Sequence, residues 1–210
     1  MERKISMNVL LFNGSPHRDG CTYTALREVA DTLEQEGIET TLLHISQAVS
    51  PCTGCGLCLE QGRCVIHDQV NEALALAERA DGFVFGSPVH YAGPAGHFTA
   101  FLDRLFYAGT CFAHKPGAAV VSCRRGGASA AFDRLNKYFT ISQMPVVSSQ
   151  YWNSVHGNTP QEVRRDEEGM QTMRLLGQNM AYLLRCQEAG RKAGILPPKG
   201  EPRLRTNFID

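Results

Sequence analysis

Five short apolar segments alternate with helical patterns along this chain, and that alternation confines it to a small set of α/β architectures. The segments are residues 8–13, 39–45, 82–88, 117–123 and 145–151, each of a length suited to one buried strand. Between the first two, residues 22–35 place Leu26, Val29 and Leu33 on one helical face, with Gly37 as the stop signal. A second helix spans 68–80. The third is the clearest, because Phe98, Phe101, Leu102, Leu105 and Phe106 recur at helical spacing before Gly109. A fourth runs from about 129 to 139, and a fifth from about 167 to 189 carries Met173, Leu176, Met180, Leu183 and Leu184 on one stripe. Strands that alternate with helices predict a doubly wound five-stranded parallel sheet with helices on both faces. Such a sheet takes its ligand at the carboxyl ends of the strands, where the strand order reverses.

A chain of 210 residues buries one full core, so we read a single domain over 1–190 and a tail over 191–210 rich in Pro, Gly, Lys and Arg. No internal repeat is present. Lys plus Arg and Asp plus Glu balance at 21 each, which removes the basic field that would gather nucleic acid or an anionic membrane surface. The start carries Glu2, Arg3 and Lys4, and the apolar run after it is too short for an export signal or a membrane span. The expected compartment is therefore the cytoplasm. There the eight cysteines are expected to stay reduced, and close spacing among them points to metal or redox chemistry.

The loop after the first segment, residues 12–24, combines glycines, hydroxyls and cations. Small residues let amides approach an anion, a helix N-terminus adds partial positive charge, and Ser15, Thr22 and Thr24 add hydroxyl donors. The loop is neither a dinucleotide fingerprint nor a P-loop; a capped turn without ligand is the plain alternative. Gly14-Ser15-Pro16 followed by Cys21-Thr22 resembles the phosphate loop of the NAD(P)H-dependent FMN reductase family, flavodoxin-like proteins. That family usually has Arg at position 17 and Asn at position 21. His17 and Cys21 stand there in this chain, with Arg18 adjacent, so the resemblance leaves the phosphate partner as His17, Arg18 or both. Cys21 reads as a small side chain filling the Asn position, with a thiol of lowered pKa at the helix start as the alternative.

Two further loops extend the resemblance. Gly86-Ser87-Pro88-Val89-His90-Tyr91-Ala92-Gly93 is similar to the family's ring-contacting loop, which implies that Pro88, Val89, His90, Tyr91 and Ala92 line the isoalloxazine of FMN. Tyr91 as a core aromatic is the competing reading. Arg124, Arg125, Gly126 and Gly127 follow the fourth segment and offer amides and guanidinium groups to the ring's polar edge, unless they form a solvated turn. Phe101-Leu102-Asp103-Arg104 also matches the family, and the likeness extends over roughly residues 8–185. Its fold implies the strand order 2-1-3-4-5.

Cys52, Cys55, Cys58 and Cys64 lie within thirteen residues at C-x2-C-x2-C-x5-C spacing. Four thiolates on so short a loop can surround one metal or one cubane cluster, and the repeated two-residue gap is that of bacterial ferredoxins. Structural zinc and free thiols remain as alternatives. The loop resembles that of iron–sulfur flavoproteins, a subgroup of the same family, which implies a [4Fe-4S] cluster beside FMN. Cys111, Cys123 and Cys186 read as packed small side chains, and the histidines other than His90 as solvated or locally satisfied. The resemblance implies an FMN-dependent oxidoreductase supplied by NAD(P)H or a ferredoxin-type donor. It would pass electrons to a small-molecule acceptor as a homodimer or homotetramer. A cluster-free FMN or quinone reductase and a non-catalytic redox carrier are the rival readings.

Overall fold

Alternation of apolar side chains within each strand decides the architecture. In β1 (Asn8–Asn13), Leu10 and Phe12 enter one core while Val9 and Leu11 enter the other. The same division runs through β3 (Gly82–His90), with Phe83 and Phe85 against Val84, and through β5 (Gly117–Cys123), with Ala119 and Val121 against Ala118 and Val120. A sheet apolar on both faces must be covered on both. Helices α3 (Gln69–Arg79), α4 (Gly96–Ala108) and α5 (Ala128–Ile141) cover the first face, and α1 (Cys21–Gln35) and α7 (Glu167–Lys192) the second. Phe85 sits at the centre of the first core, with the rings of Phe12, Phe98, Phe106 and Phe139 at centroid distances of 5.3, 6.3, 5.7 and 4.9 Å. The computed structural model describes residues 7–45 and 47–202 together with Leu204, Thr206 and Phe208. The charges at Glu2, Arg3 and Lys4 and the last residues of the tail lie outside them.

With β2 (Glu39–His44) and β6 (Ser154–His156), the parallel strands run in the order β2-β1-β3-β5-β6, the expected 2-1-3-4-5 once the two-residue β4 (Gly93–Pro94) is set aside. The reversal falls between β1 and β3, which fixes the ligand-binding end of the sheet. β4 pairs antiparallel with the end of β3, so that strand continues two residues past Pro88.

The edge strand differs from the 145–151 expected. Val146 makes a single bridge to Gly117, and ladder pairing resumes only at β6, where Ser154, Val155 and His156 meet Val121, Ser122 and Cys123. Between them Ser149 Oγ bonds to Asn153 Oδ1 at 2.7 Å and to the Tyr151 carbonyl at 2.8 Å, a local polar knot that competes with the ladder. Helix α7 also outruns its expected end. It reaches Lys192 and stops where Gly194 adopts a positive φ of 81° and Ile195 N–H returns to the Gly190 carbonyl. Two short helices, α2 (Cys58–Gln61) in the cysteine loop and α6 (Pro160–Arg165), complete the chain. No helix among the described residues is long and apolar enough to cross a membrane.

Candidate FMN site and cysteine loop

The residues after β1 fold back on their own strand. Asn13, fully buried, accepts from Ser15 N–H at 3.1 Å through Oδ1 and donates from Nδ2 to the Arg18 carbonyl at 2.9 Å. Ser15 Oγ then accepts from His17 N–H at 3.1 Å, so the turn is pinned from within. Two bonds anchor it to its surroundings: Gly14 N–H to the Gly86 carbonyl at 2.8 Å, and His44 Nε2 to the Ser15 carbonyl at 2.9 Å. Asn-Gly-Ser at a strand end was a legible turn signal for Asn13. Nothing in the sequence brought His44, twenty-nine residues away, to Ser15.

Three contacts gather the three predicted loops at one end of the sheet. Thr22 Oγ1 and Ser122 Oγ lie 2.8 Å apart and buried, joining the start of α1 to the end of β5. Gly14 meets Gly86, as above. At Gly127, where φ is 87°, a Cβ would come within 2.9 Å of Val89 Cγ1, so the turn after β5 closes against the loop after β3 only because that position is glycine. Pro88 and Val89 are half-buried there, whereas His17, Arg18, His90, Tyr91, Ala92 and Arg124 to Gly127 are exposed. Tyr91 stands fully clear of the body on a hairpin, with φ of 55°, which removes it from the core.

Helix termini supply the electrostatics. Helices α1, α4 and α5 start from the loops after β1, β3 and β5, and none has a side-chain cap or an acidic residue in its first turn. By contrast, α3, α6 and α7 are capped by Asp68, Thr159 and Asp166. Among the helices longer than two turns, those without a side-chain cap all start at the end of the sheet where the loops meet, which suits a phosphate and the anionic reduced form of a flavin ring. The donor set fits FMN on that ground. Cys21 Sγ donates to the Gly157 carbonyl at 3.7 Å, and burial raises its pKa above the usual thiol value. That agrees with a filling side chain and not with an activated thiolate.

Burial, and after it the neighbouring imidazoles of His90 and His44, lower the pKa of His97, and its buried Nε2 has no hydrogen-bond partner among the described residues. His97 thus departs from the expectation of a solvated or satisfied histidine. Cys123 is buried as expected, Cys111 half-buried, and Cys186 exposed.

Beyond β2 the cysteine loop packs against α4. Cys52, Cys55, Cys58 and Cys64 all carry free thiols and line one cavity of about 370 Å³ together with Arg104 and Tyr107. Glycines at positive φ, Gly54, Gly56 and Gly62, let the chain coil tightly between them. Cys58 Sγ reaches the Tyr107 carbonyl at 3.7 Å. Arg104, 1% exposed, directs Nε and Nη2 to Cys64 Sγ, each at 3.2 Å, and holds the Asp68 carboxylate at 2.6 and 2.9 Å. Burial opposes its charge, but the Asp68 carboxylate and the Cys64 sulfur outweigh burial and raise its pKa above the ordinary value. Among the described residues, no three His, Cys, Asp or Glu side chains converge closely enough to hold a single metal ion.

Sheet order, the switch point between β1 and β3, and the three uncapped helix ends define a flavodoxin-like protein. Solved structures agree on the fold. The chain superposes on a WrbA-like flavodoxin from Agrobacterium tumefaciens with TM-score 0.62 at 18% identity over 86% of this chain and 98% of that one. On an archaeal flavodoxin the TM-score is 0.58 at 14% identity, over 85% and 99%. Residues 7–159 match the family of NADPH-dependent FMN reductases. An iron–sulfur flavoprotein of Methanocaldococcus jannaschii is 32% identical over 85% of this chain and 98% of its own length. One of Methanosarcina thermophila is 28% identical over 80% and 90%. The chain belongs to the NADPH-dependent FMN reductase family, in its iron–sulfur flavoprotein subgroup, and is an FMN-dependent oxidoreductase.

Proposed function

We propose that this oxidoreductase moves electrons between NAD(P)H or a reduced carrier and an acceptor, through FMN and a [4Fe-4S] cluster on Cys52, Cys55, Cys58 and Cys64. FMN supplies two-electron exchange with a nicotinamide and one-electron exchange with a cluster. The carrying observation is that these four cysteines line a single cavity beside a buried cation. The first amides of α1, with Ser15, His17, Arg18, Cys21 and Thr22, would hold the phosphate. Pro88 to Ala92 would seat the ring, and the amides of Gly126 and Gly127 with Arg124 and Arg125 would donate to its polar edge. The hydroxyls of Ser15 and Thr22, held by His17 N–H and by Ser122, support this reading, since their positions are set by the protein itself. Leu57, Leu59 and Tyr107 are exposed around the cavity, a surface that suits a second copy or a redox partner.

Anaerobic mixing with NADPH, followed at the flavin absorbance and by low-temperature EPR, tests this reading. Bleaching of the flavin followed by a reduced-cluster EPR signal is expected. Bleaching without any cluster signal, from protein free of iron, contradicts the relay and leaves a cluster-free reductase. Zinc in place of iron contradicts it as well.

A further inference from the structure

The guanidinium of Arg104 lies wholly inside the protein and has no free edge. One edge, Nε and Nη2, forks onto Cys64 Sγ at 3.2 Å for both nitrogens. The other, Nη1 and Nη2, forks onto Asp68 at 2.6 and 2.9 Å. The remaining Nη1 hydrogen goes to the Ser50 carbonyl at 3.2 Å, and the Ile66 carbonyl, 3.1 Å from Nη2, shares a hydrogen with one of the forks. Asp68 is fixed in turn, because its Oδ1 caps α3 through Val70 N–H at 3.1 Å. Cys64 is held a third way: its N–H and carbonyl are gripped by the Asn71 amide at 2.9 and 2.8 Å. A planar five-donor group anchored on both edges cannot turn away from the sulfur it faces.

From this geometry we propose that Arg104 is a positioning residue that sets the electron affinity of the centre bound at Cys64, with Asp68 as the strut that holds it there. The inference rests on the cluster reading above. Reduction adds one electron to the cluster, with no bond made or broken and no proton taken up at Cys64. The added negative charge strengthens the two N–H···S hydrogen bonds and the attraction to a buried cation. Both effects favour the reduced state and raise the potential. Because the donors are locked by Asp68, Ser50 and Ile66, they require no rearrangement when the electron arrives. Cys52 accepts one backbone N–H, from Gly54 at 3.4 Å, but among the described residues no side-chain cation bonds to the sulfur of Cys52, Cys55 or Cys58, so Cys64 is the ligand at which a buried cation acts.

The test is an anaerobic equilibrium titration of the full protein with redox mediators, read by cluster EPR, for wild type, Arg104→Lys and Arg104→Gln, with iron content measured alongside. Lysine keeps the charge and loses the fork, so its potential falls below that of wild type. Glutamine loses both, and at a fixed poise its ratio of reduced to oxidised cluster drops about tenfold, which is about 59 mV for a one-electron couple. If Arg104→Gln fails to fold or to hold iron, the lysine variant decides alone. Wild-type potentials in iron-replete variants overturn the proposal and leave the cluster standing. Loss of iron from both variants with FMN retained also overturns it, since Arg104 would then only support the loop. A wild-type protein without iron overturns both.

Discussion

Thr22 Oγ1 and Ser122 Oγ lie 2.8 Å apart in the protein interior, although one hundred residues separate them in the chain. The pair ties the first turn of α1, where the FMN phosphate is expected, to the end of β5, from which the ring-edge donors depart. Ser122→Ala leaves the Thr22 hydroxyl buried without this partner. A loss of about 1–2 kcal/mol in denaturant unfolding of the apoprotein follows, together with weaker FMN binding in a fluorescence titration.

Arg18 is exposed at the phosphate loop, where a charge-assisted bond to phosphate is worth about 1.5–3 kcal/mol. Arg18→Ala is therefore expected to weaken FMN binding by roughly ten- to a hundredfold while leaving riboflavin, which lacks the phosphate, almost unchanged. Equal losses for both ligands would place Arg18 away from the phosphate. The same comparison on His17→Ala assigns the remaining share.

Gly126 and Gly127 are neighbours with opposite tolerances. A Cβ at Gly126 meets open space, whereas at Gly127 it falls 2.9 Å from Val89 on a backbone with φ of 87°. Gly126→Ala is expected to leave stability within about 0.5 kcal/mol of wild type. Gly127→Ala is expected to cost about 1–3 kcal/mol and to push Val89 out of the ring-seating loop. Thermal unfolding of the two variants side by side checks this.

Tyr138 is buried and donates its hydroxyl to Asp103. Burial first, then the bond to Asp103 and its charge, push the Tyr138 pKa well above the ordinary tyrosine value of 10.0. The folded state therefore keeps a proton that the unfolded state gives up. The stability this contributes is complete below about pH 10 and is lost as pH rises from there toward the folded-state pKa. Denaturant midpoints measured above pH 9 should fall more steeply for wild type than for Tyr138→Phe, and identical slopes would contradict the shift.

The sheet and the meeting of three loops at its carboxyl end were legible because both rest on local signals. Phe98, Phe101 and Leu105 announce the inner face of α4 by spacing alone, and Asn13-Gly14-Ser15 announces the turn after β1 by composition. What escaped depends on partners distant in sequence. The edge strand was misplaced because Val146 and Val147 look like its centre, while a Ser149–Asn153 side-chain bond withdraws the backbone between them and β6. Arg104 sits on the apolar face of α4 and is matched by Asp68, Cys64 and the carbonyls of Ser50 and Ile66, roughly forty to fifty residues upstream. No periodicity reports that pairing. His97 presents the same difficulty, since its neighbours include His44, more than fifty residues upstream.

The central claim is that two redox groups share this chain, one at the loops after β1, β3 and β5 and one on the cysteine loop. Flavin, iron and acid-labile sulfide assayed together on anaerobically purified protein test it most directly. The account predicts about one FMN with four irons and four sulfides per chain, with iron lost and flavin kept in Cys58→Ser. Protein that lacks either flavin or iron after anaerobic purification and FMN addition would contradict it.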